Sequence, residues 1–195
     1  SKTSRELIER VSKTASAVLV LEASLNGKVK VGRKGTADYK ITVHGRAAHA
    51  GLEPEKGINA TTQLAKLVLE VANLANEEFG TTVVPTVMQS GTTTNTVPAM
   101  ASLDIDIRSF SAAEFLRVDK AIANLTAENS AAKVEITGGI NRPPLETSAT
   151  AELYEILEKV AREIGMQPIG SASVGGASDG NFAAAAGARV LDGLG

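Results

Sequence analysis

Apolar runs and glycine-rich segments set apart the first part of the chain. Residues 4–11 are predicted to form a short helix that Ser4 caps, with Leu7 and Val11 on one face. Residues 17–21 are apolar throughout, which favours a strand buried on both faces, as in a parallel α/β sheet. The glycines and basic residues of segment 27–35 then indicate a linker and a domain boundary.

The central part of the chain changes to alternating apolar and polar residues, the pattern of strands with one face in water. Apolar side chains recur every three or four positions over residues 58–78 and 111–128, which predicts two helices. The predicted strands cover residues 39–44, 82–90, 102–108 and 133–137. Taken in order, these elements form the β-α-β-β-α-β arrangement of a ferredoxin-like domain, in which two helices cover one face of an antiparallel sheet.

The last part of the chain returns to an α/β pattern. A helix is predicted up to Gly165 with Thr147 or Ser148 as its cap, followed by a glycine-rich segment and a short strand at residues 189–192. The fold class is therefore α+β: a ferredoxin-like domain over residues 34–146, inserted between partial α/β segments at residues 1–33 and 147–195. Those two segments supply about two short strands, fewer than a complete α/β core contains.

Composition and charge exclude several classes of partner. The 195 residues carry a net charge of −2, with 3% aromatic residues and no Trp, so nothing indicates binding to nucleic acid or to an anionic membrane surface. No apolar stretch approaches the roughly 18 residues that a membrane span needs. The absence of Cys excludes disulfides and thiolate metal sites. We expect a soluble, cytoplasmic protein.

Three residues are candidates for metal or acid–base chemistry. Glu22 directly follows the predicted buried strand, and ligand sites of α/β proteins gather at the carboxyl ends of strands. It is either a metal ligand there or an ordinary polar residue where the strand surfaces. The only two histidines are His44, interpreted as a polar residue at a strand end, and His49, which a loop of small residues places better for projecting into a site. Without further ligands nearby, they do not indicate a local zinc site.

Three further features are candidates for binding a ligand. Asn95 lies in a Thr-rich loop, where Asn commonly makes hydrogen bonds within the turn. Arg108 lies at the end of a predicted strand and is either solvated or able to bind a substrate carboxylate with two parallel hydrogen bonds. The segment GGASDG at residues 175–180 offers backbone N–H groups at the start of a helix, which suits an anion, although Asp179 is alternatively only a helix cap.

The order of four segments along the chain closely resembles one family of enzymes. These segments are VLVLEAS, GRKGTADYKITVHGRAAHAGLEPEKGINA, TTTNTVPAMASLDIDIR and GGASDGNFAAAAGARVLDGLG. They resemble the dinuclear zinc amidohydrolases, which include glutamate carboxypeptidases, aminoacylases and succinyl-diaminopimelate desuccinylases. The resemblance extends over nearly the whole chain, and it is most specific in the HAG-x-x-P-x-x-GINA and N-T-V-P…D-I-R blocks.

The resemblance implies a role for each candidate residue. Glu22 is expected to be a carboxylate ligand of one of two zinc ions. His49 is expected to be a catalytic residue of a lid domain that reaches the active site of the partner subunit and steadies the oxyanion, so the ferredoxin-like domain would be a lid and a homodimerisation domain. The expected substrate is an N-acyl amino acid or small peptide with a free carboxylate. The residues expected to bind it are Asn95, Arg108, Gly175, Gly176, Ser178 and Asp179.

The chain also departs from the family pattern. The H-x-D motif, the bridging Asp, the Glu-Glu pair and a later His of the family are absent, and the pair Glu77–Glu78 falls near the end of the predicted lid helix. The chain is therefore expected to correspond to about the C-terminal half of such an enzyme and to lack hydrolase activity and a tight zinc site by itself. The alternative interpretation is a non-catalytic dimerisation or small-ligand-binding module. An RNA-binding sheet is not supported, because the strands lack aromatic residues.

Overall fold

Five α-helices and eight strands form the part of the chain that the structure, a computed structural model, describes: residues 2–195, with side chains from Ser4 onward. The helices are α1 (Lys2–Ser12), α2 (Ala60–Ala72), α3 (Ala112–Ala123), α4 (Ala151–Glu163) and α5 (Gly180–Ala185). The strands are β1 (Val18–Val20), β2 (Val29–Arg33), β3 (Gly35–His44), β4 (Thr82–Ser90), β5 (Met100–Ser109), β6 (Lys133–Arg142), β7 (Ser171–Val174) and β8 (Val190–Asp192). None of these helices has both the length and the apolar character needed to cross a bilayer.

The chain divides into two compact units. The first unit contains the residues up to Thr36, the short segment Arg108–Ala112 and the segment Asn141–Gly195. The second unit contains Ala37–Ile107 and Ala113–Ile140. The first unit contains a sheet with the strand order β1-β8-β2-β7, and the strands of the other sheet follow the order β4-β5-β3-β6. The fold is therefore of the mixed α/β class and contains two sheets.

The second unit is built from the alternation seen in the sequence. Strands β3 and β5 alternate buried and partly exposed residues, and they turn apolar side chains toward the core. The helices α2 and α3 add buried apolar residues every three or four positions, such as Leu64, Leu67 and Val71 of α2. The elements of this unit follow one another along the chain as β3-α2-β4-β5-α3-β6.

Several predicted bounds in this part of the chain are wrong, and β3 begins at Gly35 instead of residue 39. Helix α2 ends six residues early, because Asn76 and Thr81 pair through two backbone hydrogen bonds and form a turn where the helix was expected to continue. Helix α3 ends at Ala123 instead of about residue 128. Strand β6 runs beyond residue 137 to Arg142. Gly138 permits this extension, since a Cβ there would lie 2.1 Å from the Asp38 carbonyl oxygen and its φ is +107°.

The first unit contains more strands than the sequence predicted. Strand β1 pairs with β8 in parallel, β2 pairs with β7 in parallel, and Lys30 of β2 pairs with Asp192 of β8 in antiparallel fashion. The predicted linker at residues 27–35 is therefore wrong, because β2 lies within it and joins the sheet. The prediction that residues 17–21 are buried on both faces is also wrong. Strand β1 is an edge strand, and Leu19 is 60% exposed.

Both predicted helix caps in the first unit are wrong. Helix α1 begins at Lys2, so Ser4 lies inside it, and Ile8 packs against the core whereas the predicted stripe of Leu7 and Val11 is exposed. Helix α4 has Thr150 at its N-cap position, after a 3₁₀ turn at Thr147–Ala149. The Thr150 hydroxyl donates a hydrogen bond to the Val31 carbonyl, which ties the start of α4 to β2.

Candidate functional site

A buried ion pair lies at the ends of two strands of the first unit. Arg33, at the end of β2, is 3% exposed, and Asp192, at the end of β8, is fully buried. The Arg33 Nε and Nη2 groups donate to the two carboxylate oxygens of Asp192 at 2.8 and 2.7 Å. This is the two-pronged geometry in which a guanidinium binds a carboxylate most strongly. Neither residue was predicted from the sequence, in which the acidic Asp192 at the end of the apolar run V-L-D is the only local signal of a buried charge.

Glu22 lies beside this pair. Its carboxylate accepts a hydrogen bond from Arg33 Nη2 at 3.3 Å, and its side chain is 52% exposed. Glu22 lies two residues after β1, and the charged group beside it is the Arg33 guanidinium. Since the side chain is half exposed, this contact contributes little to stability.

The glycine-rich loop at residues 175–180 is fastened to the same pair. The Gly176 carbonyl accepts a hydrogen bond from Arg33 Nη1 at 3.0 Å, and the Ser178 hydroxyl donates to Asp192 Oδ2 at 2.5 Å. The Ser178 hydroxyl also accepts from the Gly180 N–H. Ser178 is buried, whereas Gly175 and Gly176 are exposed. The loop thus presents glycine backbone to solvent and turns its serine inward.

Two further side chains complete this loop. Asn181 is fully buried, accepts from the Ser178 N–H at 2.9 Å, and donates to the Pro143 carbonyl at 2.9 Å. The N–H groups of Ser178 and Gly180 are thus already used within the loop. Asp179 occupies the N-cap position of α5 without a capping hydrogen bond, and its carboxylate is exposed 3.7 Å from Arg142.

His49 and Asn95 are brought together in the second unit. His49 pairs with Thr96, the neighbour of Asn95, as an isolated β-bridge, and the Ala50 N–H donates to the Asn95 carbonyl at 2.8 Å. Both His49 and Asn95 are exposed. Backbone pairing therefore joins two loops that are distant in sequence, one carrying His49 and the other Asn95, on the surface of this unit.

The loop that carries His49 starts at a glycine that admits no side chain. A Cβ at Gly45 would lie 2.1 Å from the Ile58 carbonyl oxygen. The Gly45 N–H donates to the Ala99 carbonyl at 2.8 Å, and Arg46 and Ile58 exchange two backbone hydrogen bonds. Gly45 is thus needed for the close approach of three chain segments at the base of the His49 loop.

The hydrogen bonding of His49 selects one tautomer. Its Nδ1 accepts a hydrogen bond from the Gly51 N–H at 3.2 Å. A ring nitrogen that accepts from an N–H carries no proton, so the neutral imidazole has its proton on Nε2. His49 therefore presents an Nε2–H donor, which suits an oxygen that carries or develops negative charge.

Arg108 and His44 lie on two strands of the sheet with the order β4-β5-β3-β6. Arg108 is half-buried near the end of β5, and the alternation of β5 places it on the opposite side from the buried Ile107. His44 is the last residue of β3 and lies 3.3 Å from the Glu135 carboxylate. The interpretation of His44 as a polar strand-end residue is confirmed.

The described residues contain no group of three or more His, Asp or Glu side chains arranged to hold a metal ion. Glu22 is one acidic donor, and the nearby Asp192 is committed to Arg33 and Ser178. Because a dinuclear zinc centre needs several converging ligands, the donors of this chain do not fit such a centre by themselves.

A second buried carboxylate, outside the predicted site, was not identified from the sequence. Glu114 in α3 is 7% exposed and accepts hydrogen bonds from Arg117 and from the Thr81 hydroxyl. The hydrogen bond from Arg117 lowers the pKa of Glu114, although burial acts in the opposite direction. Arg117 also donates to the Leu74 carbonyl at 2.7 Å, so this cluster fastens α3 to the segment that follows α2.

Tyr39 is a further buried group that can titrate. Burial raises the pKa of its phenol, and the hydrogen bond that it donates to Asp119 at 2.5 Å raises it further. Tyr39 lies in β3 and Asp119 in α3, so the bond joins the sheet to a helix. We assign it a structural role.

Comparison with known proteins identifies a family and its relatives. The family model described as the Peptidase dimerisation domain matches residues 31–137. Carboxypeptidase G2 from Pseudomonas sp. (strain RS-16) is 27% identical over 197 residues, which cover 98% of this chain and 48% of that protein. Succinyl-diaminopimelate desuccinylase from Hydrogenovibrio crunogenus is 27% identical over 176 residues, 87% of this chain and 46% of that protein.

A solved structure shows the same fold. The crystal structure of aminopeptidase PepT from Bacillus cereus ATCC 10987 matches with a TM-score of 0.76 and 23% identity, covering 96% of this chain and 53% of that one. The chain thus spans about half the length of the proteins that it matches. The expected relationship to dinuclear zinc amidohydrolases is confirmed at the level of the family.

Proposed function

Because the chain belongs to the Peptidase dimerisation domain family, we propose that it is part of a zinc-dependent hydrolase that cleaves amide bonds next to a free carboxylate. The proposed substrates are N-acyl amino acids or small peptides. The names of two relatives, a carboxypeptidase and a desuccinylase, support this class of reaction. The observation that supports the proposal is the backbone pairing of the loops that carry His49 and Asn95, together with the Nε2–H donor that His49 presents at the surface.

Each side chain has a proposed role. The His49 Nε2–H stabilises the negative charge that develops on the oxygen of the scissile amide, and Asn95 and Arg108 bind the substrate carboxylate. The loop of Gly175, Gly176, Ser178 and Asp179 contacts the substrate. Glu22 is proposed as one zinc ligand. The other ligands must come from outside this chain, because its described residues do not complete a metal site.

We further propose the division of labour within the chain. Residues 34–146 form a lid and dimerisation domain of ferredoxin-like topology, and residues 1–33 and 147–195 belong to the catalytic domain. The order of elements and the strand order β4-β5-β3-β6 support the topology. By itself the chain supplies dimerisation and carboxylate binding, and it does not hydrolyse the substrate.

The proposed dimer forms through the edge strand β4 and helix α2. Of the nine residues of β4 only Val83 is buried, while Val84, Val87 and Met88 are each close to half exposed. Leu69 of α2 is 68% exposed, and α2 packs on β4. Strand β6, at the other edge, is less suitable, because the positive φ angles of Gly138 and Gly139 interrupt its regular backbone.

Assays of the intact protein that contains this chain test the proposal. We expect it to hydrolyse N-acyl-L-glutamate in the presence of zinc and to lose this activity on treatment with a chelator. We expect Glu22→Gln to lower both the zinc content and the activity, whereas the control Glu155→Gln, at an exposed glutamate on α4 of the same unit, changes neither. Equal turnover by the 195-residue chain alone would contradict the proposal. Absence of turnover by the intact protein on N-acyl amino acids and peptides would favour a non-catalytic dimerisation module.

A further inference from the structure

The guanidinium of Arg33 is the centre of a network that no part of the proposed reaction uses. It is buried, and its donors make four hydrogen bonds: two to Asp192, one to the Gly176 carbonyl and one to Glu22. Asp192 is fully buried and balances the charge of Arg33. The opposite charges of Arg33 and Asp192 thus cancel. The other two hydrogen bonds of Arg33 reach Glu22 and the glycine-rich loop, for both of which we propose functional roles.

The glycine-rich loop is held from both of its ends by this pair. At the start of the loop, the Gly176 carbonyl accepts from Arg33 Nη1 at 3.0 Å. Toward the end of the loop, the Ser178 hydroxyl donates to Asp192 and accepts from the Gly180 N–H at 3.1 Å. Glycine backbone has more conformational freedom than any other, so a loop with Gly175, Gly176 and Gly180 needs external contacts to keep one conformation.

The chemistry of these contacts requires an arginine. The guanidinium presents five N–H donors in a rigid planar fork, so it binds both Asp192 oxygens and still reaches the Gly176 carbonyl. A lysine has a compact ammonium group that keeps the charge but lacks the fork. In an ion pair with a purely structural role, the guanidinium would need only Asp192 as its partner. Here Nη1 of Arg33 also donates to the Gly176 carbonyl of the loop.

We propose that Arg33 is a positioning residue, which acts through Asp192 and Ser178 to hold the loop at residues 175–180 in the conformation that contacts the substrate. This inference rests on the proposed function, since it assumes that the loop contacts the substrate. Arg33 itself touches no reacting atom in this proposal. Its effect is to remove the cost of ordering a glycine-rich loop each time a substrate binds.

Hydrogen exchange of the 195-residue chain tests whether Arg33 orders the loop. In Arg33→Lys we expect the amides of Ser178 and Gly180, whose N–H groups are hydrogen-bonded in the loop, to exchange at least about tenfold faster, since the charged hydrogen bonds that hold the loop are lost. The amides of α4 in the same unit should keep their wild-type rates. The control Arg189→Lys makes the same substitution at an arginine that bonds Ser16 and Glu152, and it should leave the loop unchanged.

A second variant covers the case in which Arg33→Lys fails to fold because its ammonium group cannot bind both oxygens of the buried Asp192. The double variant Arg33→Met with Asp192→Asn removes both charges together, and replacing both partners of a buried pair is tolerated far better than removing one. It should show the same fast exchange in the loop. Wild-type exchange rates at the Ser178 and Gly180 amides in a folded Arg33→Lys or in the double variant would overturn the inference.

Steady-state kinetics of the intact protein test the link to substrate binding. For Arg33→Lys we expect the KM for N-acyl-L-glutamate to rise about tenfold while kcat falls less than about twofold, because the ordering of the loop is lost from binding. Fast exchange with an unchanged KM would overturn the positioning role while leaving the hydrolase proposal intact. If the wild-type protein does not hydrolyse these substrates, the proposed function fails, and the exchange rates alone decide whether Arg33 orders the loop.

Discussion

The proposed dimer surface leads to a prediction for Leu69 on helix α2. This side chain is 68% exposed and lies on the helix that packs against the edge strand β4. A dimer that forms through α2 and β4 covers it, and replacing it by Glu then places a charge in an apolar interface. We expect Leu69→Glu to weaken the dimer strongly while leaving the fold intact, because the side chain contributes little to the core of its own subunit.

The size of the effect follows from the exposed area. Complete burial of a Leu side chain stabilises by about 1.5–3 kcal/mol, so covering the exposed two-thirds of Leu69 contributes ~1.5 kcal/mol per subunit. A two-fold axis buries the residue twice, which gives ~3 kcal/mol per dimer. Because about 1.4 kcal/mol corresponds to a tenfold change in Kd, Leu69→Glu should weaken the dimer at least about 100-fold.

Sedimentation velocity over a range of concentrations measures this change. The wild-type chain should be a dimer at concentrations on the order of tens of micromolar, and Leu69→Glu should be a monomer there. Leu116→Glu is the matched control, since Leu116 is 65% exposed on α3 of the same sheet-and-helix unit. The reasoning is refuted if the wild-type chain is monomeric, if Leu69→Glu has the wild-type Kd, or if the control dissociates equally.

Three further predictions concern the site and its support. His49→Gln should retain about tenfold more kcat in the intact protein than His49→Asn, because the Gln amide replaces the Nε2–H donor and the shorter Asn does not; equal kcat values would contradict the assigned tautomer. Gly45→Ala should lower the free energy of urea unfolding by about 2–3 kcal/mol, while Gly175→Ala, with open space around its Cβ, changes it little; similar losses in both would contradict the contact argument. Glu114→Gln should lower the free energy of unfolding by about 2 kcal/mol at pH 7. Since the folded-state pKa of Glu114 is lowered, this difference should disappear as the pH falls below about 4, and a difference that stays constant in acid would contradict it.

The second unit was predictable because apolar and polar residues alternate in its strands and apolar residues recur every three or four positions in its helices. In β5, Leu103, Ile105 and Ile107 are buried and the residues between them are not, so the period of two in the sequence is the period of the structure. Helix lengths were less predictable. The end of α2 is set by the backbone pairing of Asn76 with Thr81, which the apolar pattern does not encode.

Strands β2 and β7 of the first unit were not predicted, for two physical reasons. Strand β2 has an irregular burial pattern, because a register shift between Lys30 and Gly32 interrupts its alternation. Its lysine, arginine and glycine therefore resembled a linker. Strand β7 consists of small residues, SASV, that lack the bulky apolar side chains by which strands are usually identified.

The residues of the candidate site were predictable only where they lie in recognisable sequence motifs. The proximity of His49 and Asn95 depends on pairing between two loops 46 positions apart, and only the resemblance to a family placed them in one site. The Arg33–Asp192 pair joins residues 159 positions apart. Neither residue stands in a local motif that indicates an ion pair, so the sequence alone did not reveal the network behind the glycine-rich loop.

Complementation between subunits tests whether the chain forms a dimer in which His49 serves the active site of its partner. The His49→Ala and Glu22→Gln forms of the intact protein are each expected to be inactive. When equal amounts are dissociated and reassociated together, half of the dimers are mixed and each mixed dimer has one complete site. The account predicts recovery of about a quarter of wild-type hydrolysis of N-acyl-L-glutamate. Absence of any recovery, with mixed dimers present, would contradict it.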